Sequence, residues 1–311
     1  MNQTTNSIVM IRPVAFRMNE QTAVNNYYQK VLDNLTPASV NAKAQDEFDT
    51  FVQKLKTIGL NVIVVEDTLS PDTPDSIFPN NWISFHENGD VVLYPMFAEN
   101  RRLERREDLL DRLETEGFII NEIMDYTSAE EDAIFLEGTG SIVLDRANGK
   151  AYCALSPRAD EELFIEFCED FEFTPVIFEA FQTVDGARKP IYHTNVILCI
   201  GETFAVICAD CIDDKKERKM VLDSLKGDEK EVILITEEQV NNFAGNMLEV
   251  KGTDDRRFLV MSASAHQSLT KKQVAQLEEH VTIISSSLDT IEACGGGSAR
   301  CMMAEVFLPK E

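Results

Sequence analysis

Apolar and polar positions along this chain recur in a fixed order. In "NNWISFHENGDVVLYPMFAENRR" an apolar run, an Asn-Gly turn and a second apolar run lead into a charged helix start. "GTGSIVLDRANGKAYCALSPRADEE" repeats this around Asn148-Gly149, and "HTNVILCIGETFAVICADCIDDKK" around Gly201-Glu202. "AGNMLEVKGTDDRRFLVMSASAHQSLTKKQ" does so a fourth time with a longer turn. Asn-Gly between two apolar runs is a strong hairpin signal. After each hairpin a helical segment precedes a short strand: "RRLERREDLLDRLETEG" before "FIINEIM", "ADEELFIEFCEDF" before "TPVIFEAF", "DDKKERKMVLDSLKG" before "EVILIT", and "TKKQVAQLEEH" before "VTIISSS".

The period is roughly 50–60 residues, too long for a helical solenoid and suited to a repeated β-β-α-β module. A fifth module is split. "SARCMMAEVFLP" at the C-terminus supplies one strand, while "SIVMIRPVAF", "AQDEFDTFVQKLKTIG" and "NVIVVE" near the N-terminus supply strand, helix and strand. A module shared between the termini closes a ring. The expected fold is therefore α/β: a five-bladed α/β propeller of pseudo-symmetric modules, closed by the terminal strands and forming one domain over residues 1–311.

Composition narrows the function. A formal net charge of −25 argues against nucleic-acid binding, which needs clustered Lys and Arg. A balance this acidic ordinarily serves solubility. No apolar run reaches the ~20 residues that cross a bilayer, and the N-terminal residues lack a secretory pattern. Seven cysteines, odd in number and mostly within apolar runs, suit free thiols in a reducing cytoplasm. Zinc and nucleotide motifs are absent; "CADC" has no matching second half.

In a ring, the residues that open the first strand of each module meet near the axis. These are Asn80 and Asn81 in "FPNN", Glu137 to Gly140 in "LEGTG", His193 and Asn195 in "YHTN", Asn246 in "FAGN", and Cys301 in "GGGSARC". A thiol, a histidine and a carboxylate are the minimum for thiol nucleophilic catalysis. Cys301 would attack as thiolate, His193 would supply positive charge, and Glu137 would orient His193. The turn Gly295 to Gly297 would bring N–H groups close. Cys153, Cys199 and Cys208 are expected to be core thiols, and His86, His266 and His280 surface or core residues.

The combination of "LEGTG", "YHTN" and a C-terminal "GGGSARCM" in this fold resembles the guanidino-group-modifying superfamily of deiminases, dimethylargininases and amidinotransferases. The resemblance covers essentially the whole chain. It implies Cys301 as covalent nucleophile, His193 as general acid/base, Glu137 as its acidic partner, and neither metal nor organic cofactor. The substrate is then a small amino acid.

Arginine deiminases carry carboxylates where this chain has Asn81, Gly140 and Asn195. A buried guanidinium without its carboxylates is costly, whereas amides both donate and accept and so suit a neutral ureido group. The pocket is similar to that of the citrulline-utilising hydrolases, with "FPNNW" as the associated feature. The expected reaction converts citrulline to ornithine, ammonia and carbon dioxide, with Asn80, Asn81, Asn195 and Asn246 on the substrate. The substrate carboxylate needs an arginine; Arg12 is assigned to it, although Arg17, Arg101, Arg158 and Arg188 qualify equally and the sequence does not rank them. The rival readings are an arginine deiminase or dimethylargininase, an amidinotransferase, and a non-catalytic amino-acid-binding propeller.

Overall fold

The computed structural model describes residues 1–32 and 34–310. Its strands, in chain order, begin with β1 (Ser7–Arg12), β2 (Asn61–Glu66), β3 (Ile83–Phe85), β4 (Asp90–Leu93) and β5 (Glu122–Asp125). Then come β6 (Ile142–Asp145), β7 (Lys150–Leu155), β8 (Thr174–Glu179), β9 (Phe181–Val184) and β10 (Ala187–Pro190). The last are β11 (Leu198–Ile200), β12 (Phe204–Ile207), β13 (Glu231–Leu234), β14 (Leu248–Lys251), β15 (Arg257–Ser262), β16 (Thr282–Ser286) and β17 (Ala304–Glu305).

Five three-stranded sheets share one topology. The first two strands are antiparallel and the third joins parallel after a helix: β3-β4-β5, β6-β7-β8, β11-β12-β13 and β14-β15-β16. The fifth is β17-β1-β2, in which β17 pairs antiparallel with β1 and β1 pairs parallel with β2. The terminal strands thus complete one sheet, as the split module requires. The architecture is mixed α/β, built from small sheets.

The crossing helices form where capping and apolar spacing agree. Helix Pro37–Thr57 starts at Thr36, whose side chain accepts from the Ser39 N–H, with Pro37 at the first position. It buries Ala44, Phe48, Phe51, Val52 and Leu55 against Ile8, Met10 and Val62 of β1 and β2. Helix Lys215–Gly227 is capped by Asp214, which accepts from the N–H groups of Lys216 and Glu217.

Two departures matter. The helix expected across "RRLERREDLLDRLETEG" is broken into Glu99–Arg102 and Asp108–Thr115. The break lets Arg101 and Glu104 turn inward, both buried, with Arg101 Nε and Nη2 each 2.9 Å from a Glu104 carboxylate oxygen. The hairpin β9-β10 is an addition to the module. Its turn is Asp185-Gly186, both at positive φ, the pairing a type I′ turn demands.

Candidate active site

The positions that open the modules lie just ahead of the strands rather than on them, most of them on or beside a short helical turn. Asn80 and Asn81 occupy the turn Pro79–Asn81 before β3; Glu137 precedes the turn Gly138–Ser141 before β6. His193 precedes the turn Thr194–Val196 before β11, and Asn246 sits two residues ahead of β14. Cys301 belongs to the turn Ala299–Met302 before β17. Such turns aim side chains off the ends of the sheets into one place.

Around the thiol the nearest polar groups are amides. Asn246 Nδ2 donates to Cys301 Sγ at 3.2 Å and Asn195 Nδ2 at 3.6 Å. A thiolate accepts such bonds better than a thiol does. Asn246 Nδ2 also donates to the Asn195 carbonyl, and Asn246 Oδ1 accepts from the Arg300 N–H at 3.1 Å. The amide is therefore oriented with its NH2 group on the sulfur.

His193 and Glu137 form the second cluster. His193 Nε2 lies 2.7 Å from Glu137 Oε2. The carboxylate can only accept, so Nε2 carries the proton and Nδ1 keeps a lone pair. Glu137 Oε1 accepts from the Phe97 N–H at 3.0 Å, and Arg158 Nη1 lies 3.4 Å from Oε2. Burial works against the Glu137 charge, but Arg158, the His193 hydrogen bond and Arg101 outweigh it and hold the carboxyl well below its usual range. His193 is pushed down to about 4, first by burial and further by Arg158 and Arg101, against the pull of Glu137. The resting imidazole is neutral and ready to take a proton on Nδ1.

One member of each cluster, Cys301 and His193, lines a small cavity, with Asn81, Arg101, Arg158 and Asp75 also in its wall. Asn81 Oδ1 accepts from Arg101 Nη1 at 2.8 Å, while its Nδ2 is buried without a partner among the described residues. Gly140 is required here: a Cβ on it would lie 2.4 Å from Asn81 Nδ2 and 2.8 Å from His193 Nδ1. The glycine run plays a packing part as well. A Cβ on Gly295 or Gly297 would meet the Phe78 ring at 2.7 and 2.9 Å.

Of the residues expected from sequence, Cys301, His193, Glu137, Asn81, Asn195 and Asn246 come together. Asn80 stands behind them, its Nδ2 donating to Thr139 Oγ1 at 3.3 Å. Arg12 does not join them, and its assignment is corrected. It ends β1 on the outer surface, held by Asp49 at 2.8 Å and Glu66 at 3.0 Å. Arg17 pairs with Asp72 and Arg188 with Asp213 and Glu237, also outside the cavity wall. Arg101 and Arg158 are the arginines that line it.

Two contributors were missed. Asp75 is 2 % exposed and accepts from Asn19 Nδ2 and Thr22 Oγ1 through Oδ2; its Oδ1 has no partner among the described residues. Burial raises its carboxyl. From the segment Asn19–Gln29, Asn26 lines the cavity. Asn25 Oδ1 accepts from Arg158 Nε at 2.9 Å, and Asn26 and Gln29 side chains donate to the Gly295 carbonyl. Irregular and polar, this segment carries no periodicity to read.

A family model described as "N,N dimethylarginine dimethylhydrolase, eukaryotic" matches residues 12–308. The chain belongs to this family. The family is described by a hydrolase activity. Among solved structures, ArgZ, an arginine dihydrolase from the ornithine-ammonia cycle in Cyanobacteria, superposes in its apo form with a TM-score of 0.75 at 17% identity. That match covers 98% of this chain and 41% of ArgZ, so the chain spans under half the length of that enzyme. The isolated N-terminal domain of ArgZ, as a cysteine-to-serine variant bound to substrate, matches over 97% of this chain and 99% of the domain, at 18% identity and a TM-score of 0.69. A dimethylarginine dimethylaminohydrolase carrying an S-methyl-L-thiocitrulline adduct matches at 13% identity and a TM-score of 0.63, covering 96% and 98%. These likenesses show a shared fold. No curated protein sequence matches the chain.

Proposed function

We propose that this protein hydrolyses citrulline to ornithine, ammonia and carbon dioxide, acting in the cytoplasm as one domain whose five sheets are the blades of a propeller. The observation that carries the reading is the set of amides around the thiol. Asn246 and Asn195 donate to Cys301 Sγ at 3.2 and 3.6 Å, and the neighbouring Asn81 has a buried Nδ2 with no hydrogen-bond partner among the described residues. Donors of this kind match a neutral ureido oxygen and bring no anion to pair with a guanidinium.

In this reading Cys301 transfers its proton to His193 Nδ1 and its sulfur bonds to the ureido carbon. The carbonyl π electrons move onto oxygen, and the Asn195 and Asn246 amides stabilise that oxyanion. As the oxyanion collapses, the bond from carbon to Nδ breaks and the proton on His193 goes to that nitrogen, releasing ornithine. The S-carbamoyl group then takes a hydroxide from water whose proton His193 accepts. The thiol re-forms with that proton, and carbamate decays to ammonia and carbon dioxide. Glu137 stays ionised throughout and stabilises each imidazolium. Asp75 would hold the substrate ammonium, and Arg101 or Arg158 its carboxylate.

One observation favours a second reading. Asp75 Oδ1 is buried with no hydrogen-bond partner among the described residues, so Asp75 would serve a guanidinium as well as an ammonium. The chain would then act on arginine, in keeping with the arginine-acting neighbours. Incubation with citrulline, arginine and dimethylarginine, with product identification, separates the readings. Ornithine from citrulline supports the first; citrulline or ornithine from arginine, with citrulline untouched, supports the second.

A further inference from the structure

A second, small cavity is lined from β6, β11 and β14 and from the C-terminal segment. Four charged side chains reach it: Arg146, Arg300, Glu249 and Glu305. Three have ionic partners. Arg300 Nη2 bonds Glu305 at 2.9 Å, and Glu249 lies 3.8 Å from Arg257 while accepting the Glu202 N–H at 2.6 Å.

Arg146 stands apart. It is 3 % exposed, has no ion pair among the described residues, and its Nη1 has no hydrogen-bond partner there. One face of its guanidinium is covered by Phe307, with the central carbon 4.0 Å from the ring centroid. Stacking leaves the edge of the guanidinium, where the N–H groups point, free for a planar acceptor. A buried cation without an acceptor is costly, and such groups are paired or take a ligand. The same cavity holds an atom of opposite character, Glu249 Oε1, which faces Arg257 Nε at 3.8 Å but has no hydrogen-bond partner among the described residues and can accept one. A bound group that serves both has one negative charge, planar oxygens for the guanidinium and a hydrogen to donate.

We propose that this cavity is a site for a small protonated oxyanion of the bicarbonate class, held on Arg146 and oriented by Glu249. Gln3 closes the site, its Nε2 donating to the carbonyls of Leu144 and Ile200 at 3.0 and 3.2 Å. Thr139 lines this cavity, and its backbone carbonyl accepts from Asn195, one of the amides on Cys301. The inference rests on Arg146 and Glu249 and is independent of which substrate the catalytic cavity takes.

The test uses the full chain, freed of small anions and titrated at pH 8 and constant ionic strength with sodium bicarbonate, chloride or gluconate. Melting temperature is read at each step. Bicarbonate should give a saturable rise of about 3 °C, chloride a smaller one because it cannot donate to Glu249, and bulky gluconate none. In Arg146→Met the bicarbonate rise should vanish. In Glu249→Gln the preference for bicarbonate over chloride should shrink. Equal responses of the unmodified chain to bicarbonate and gluconate overturn the proposal whether or not the variants fold. So does a bicarbonate rise that survives in a folded Arg146→Met protein.

Discussion

His193 Nε2 and Glu137 Oε2 lie 2.7 Å apart, and both side chains are sealed from solvent. The bond fixes the tautomer that leaves Nδ1 as a base, and Arg158 keeps the carboxylate charged. Glu137→Gln keeps the shape and removes the charge. We expect kcat to fall by ~10²–10⁴-fold with little change in KM. Steady-state kinetics on the variant checks this; a loss confined to KM contradicts the orienting role.

Arg158 acts on His193 through charge. Its guanidinium is among the groups that hold the imidazole down to about 4. In Arg158→Met that influence is gone, so the acidic limb of kcat/KM should move to higher pH. Removing one member of a buried pair should also destabilise the fold by ~3–5 kcal/mol. Comparing pH–rate profiles with thermal melts separates the two effects, because loss of packing alone leaves the profile in place.

Stability itself should depend on pH through His193. Its folded value of about 4 lies below the ordinary 6.5, so between these values the unfolded chain binds more protons. The contribution is fully present above about pH 6.5 and is lost as pH falls through about 4, amounting to ~3 kcal/mol. Glu137, also held low, works in the same direction below the ordinary carboxylate range. Denaturant melts from pH 7 to pH 4 should show the decline, and His193→Asn should flatten it.

Asn81 tests the neutral character of the pocket. Its Oδ1 is taken by Arg101, and its Nδ2 has no hydrogen-bond partner among the described residues. Asn81→Asp turns that donor into an acceptor with charge. We expect kcat/KM for citrulline to fall ~100-fold or more while arginine gains relative to it. Unchanged discrimination between the two would mean that Asn81 does not read the substrate.

The module pattern was legible because each hairpin is written locally, by apolar runs on both sides of a turn such as Asn148-Gly149. The same logic applies to Asp185-Gly186, whose turn signal was passed over because the strands beside it are short and largely polar. The split of the helix after Arg102 was hidden: long charged side chains read as a solvated helix face until Arg101 and Glu104 are seen to satisfy each other in the interior. Cys301, His193 and Glu137 could be grouped because repetition put them at equivalent module positions. Arg12 was misassigned for lack of such a rule, since strand alternation alone does not say which face meets the cavity. Asp75 and Asn25 enter through irregular segments, and their convergence is a property of the folded chain.

The most direct measurement follows carbon and nitrogen from citrulline. Purified protein incubated with ureido-13C citrulline should yield ornithine, ammonia and labelled carbon dioxide in equal amounts, and Cys301→Ala should yield none. Intact citrulline after prolonged incubation with a folded, unmodified protein, or ornithine formed equally well by Cys301→Ala, would contradict the account.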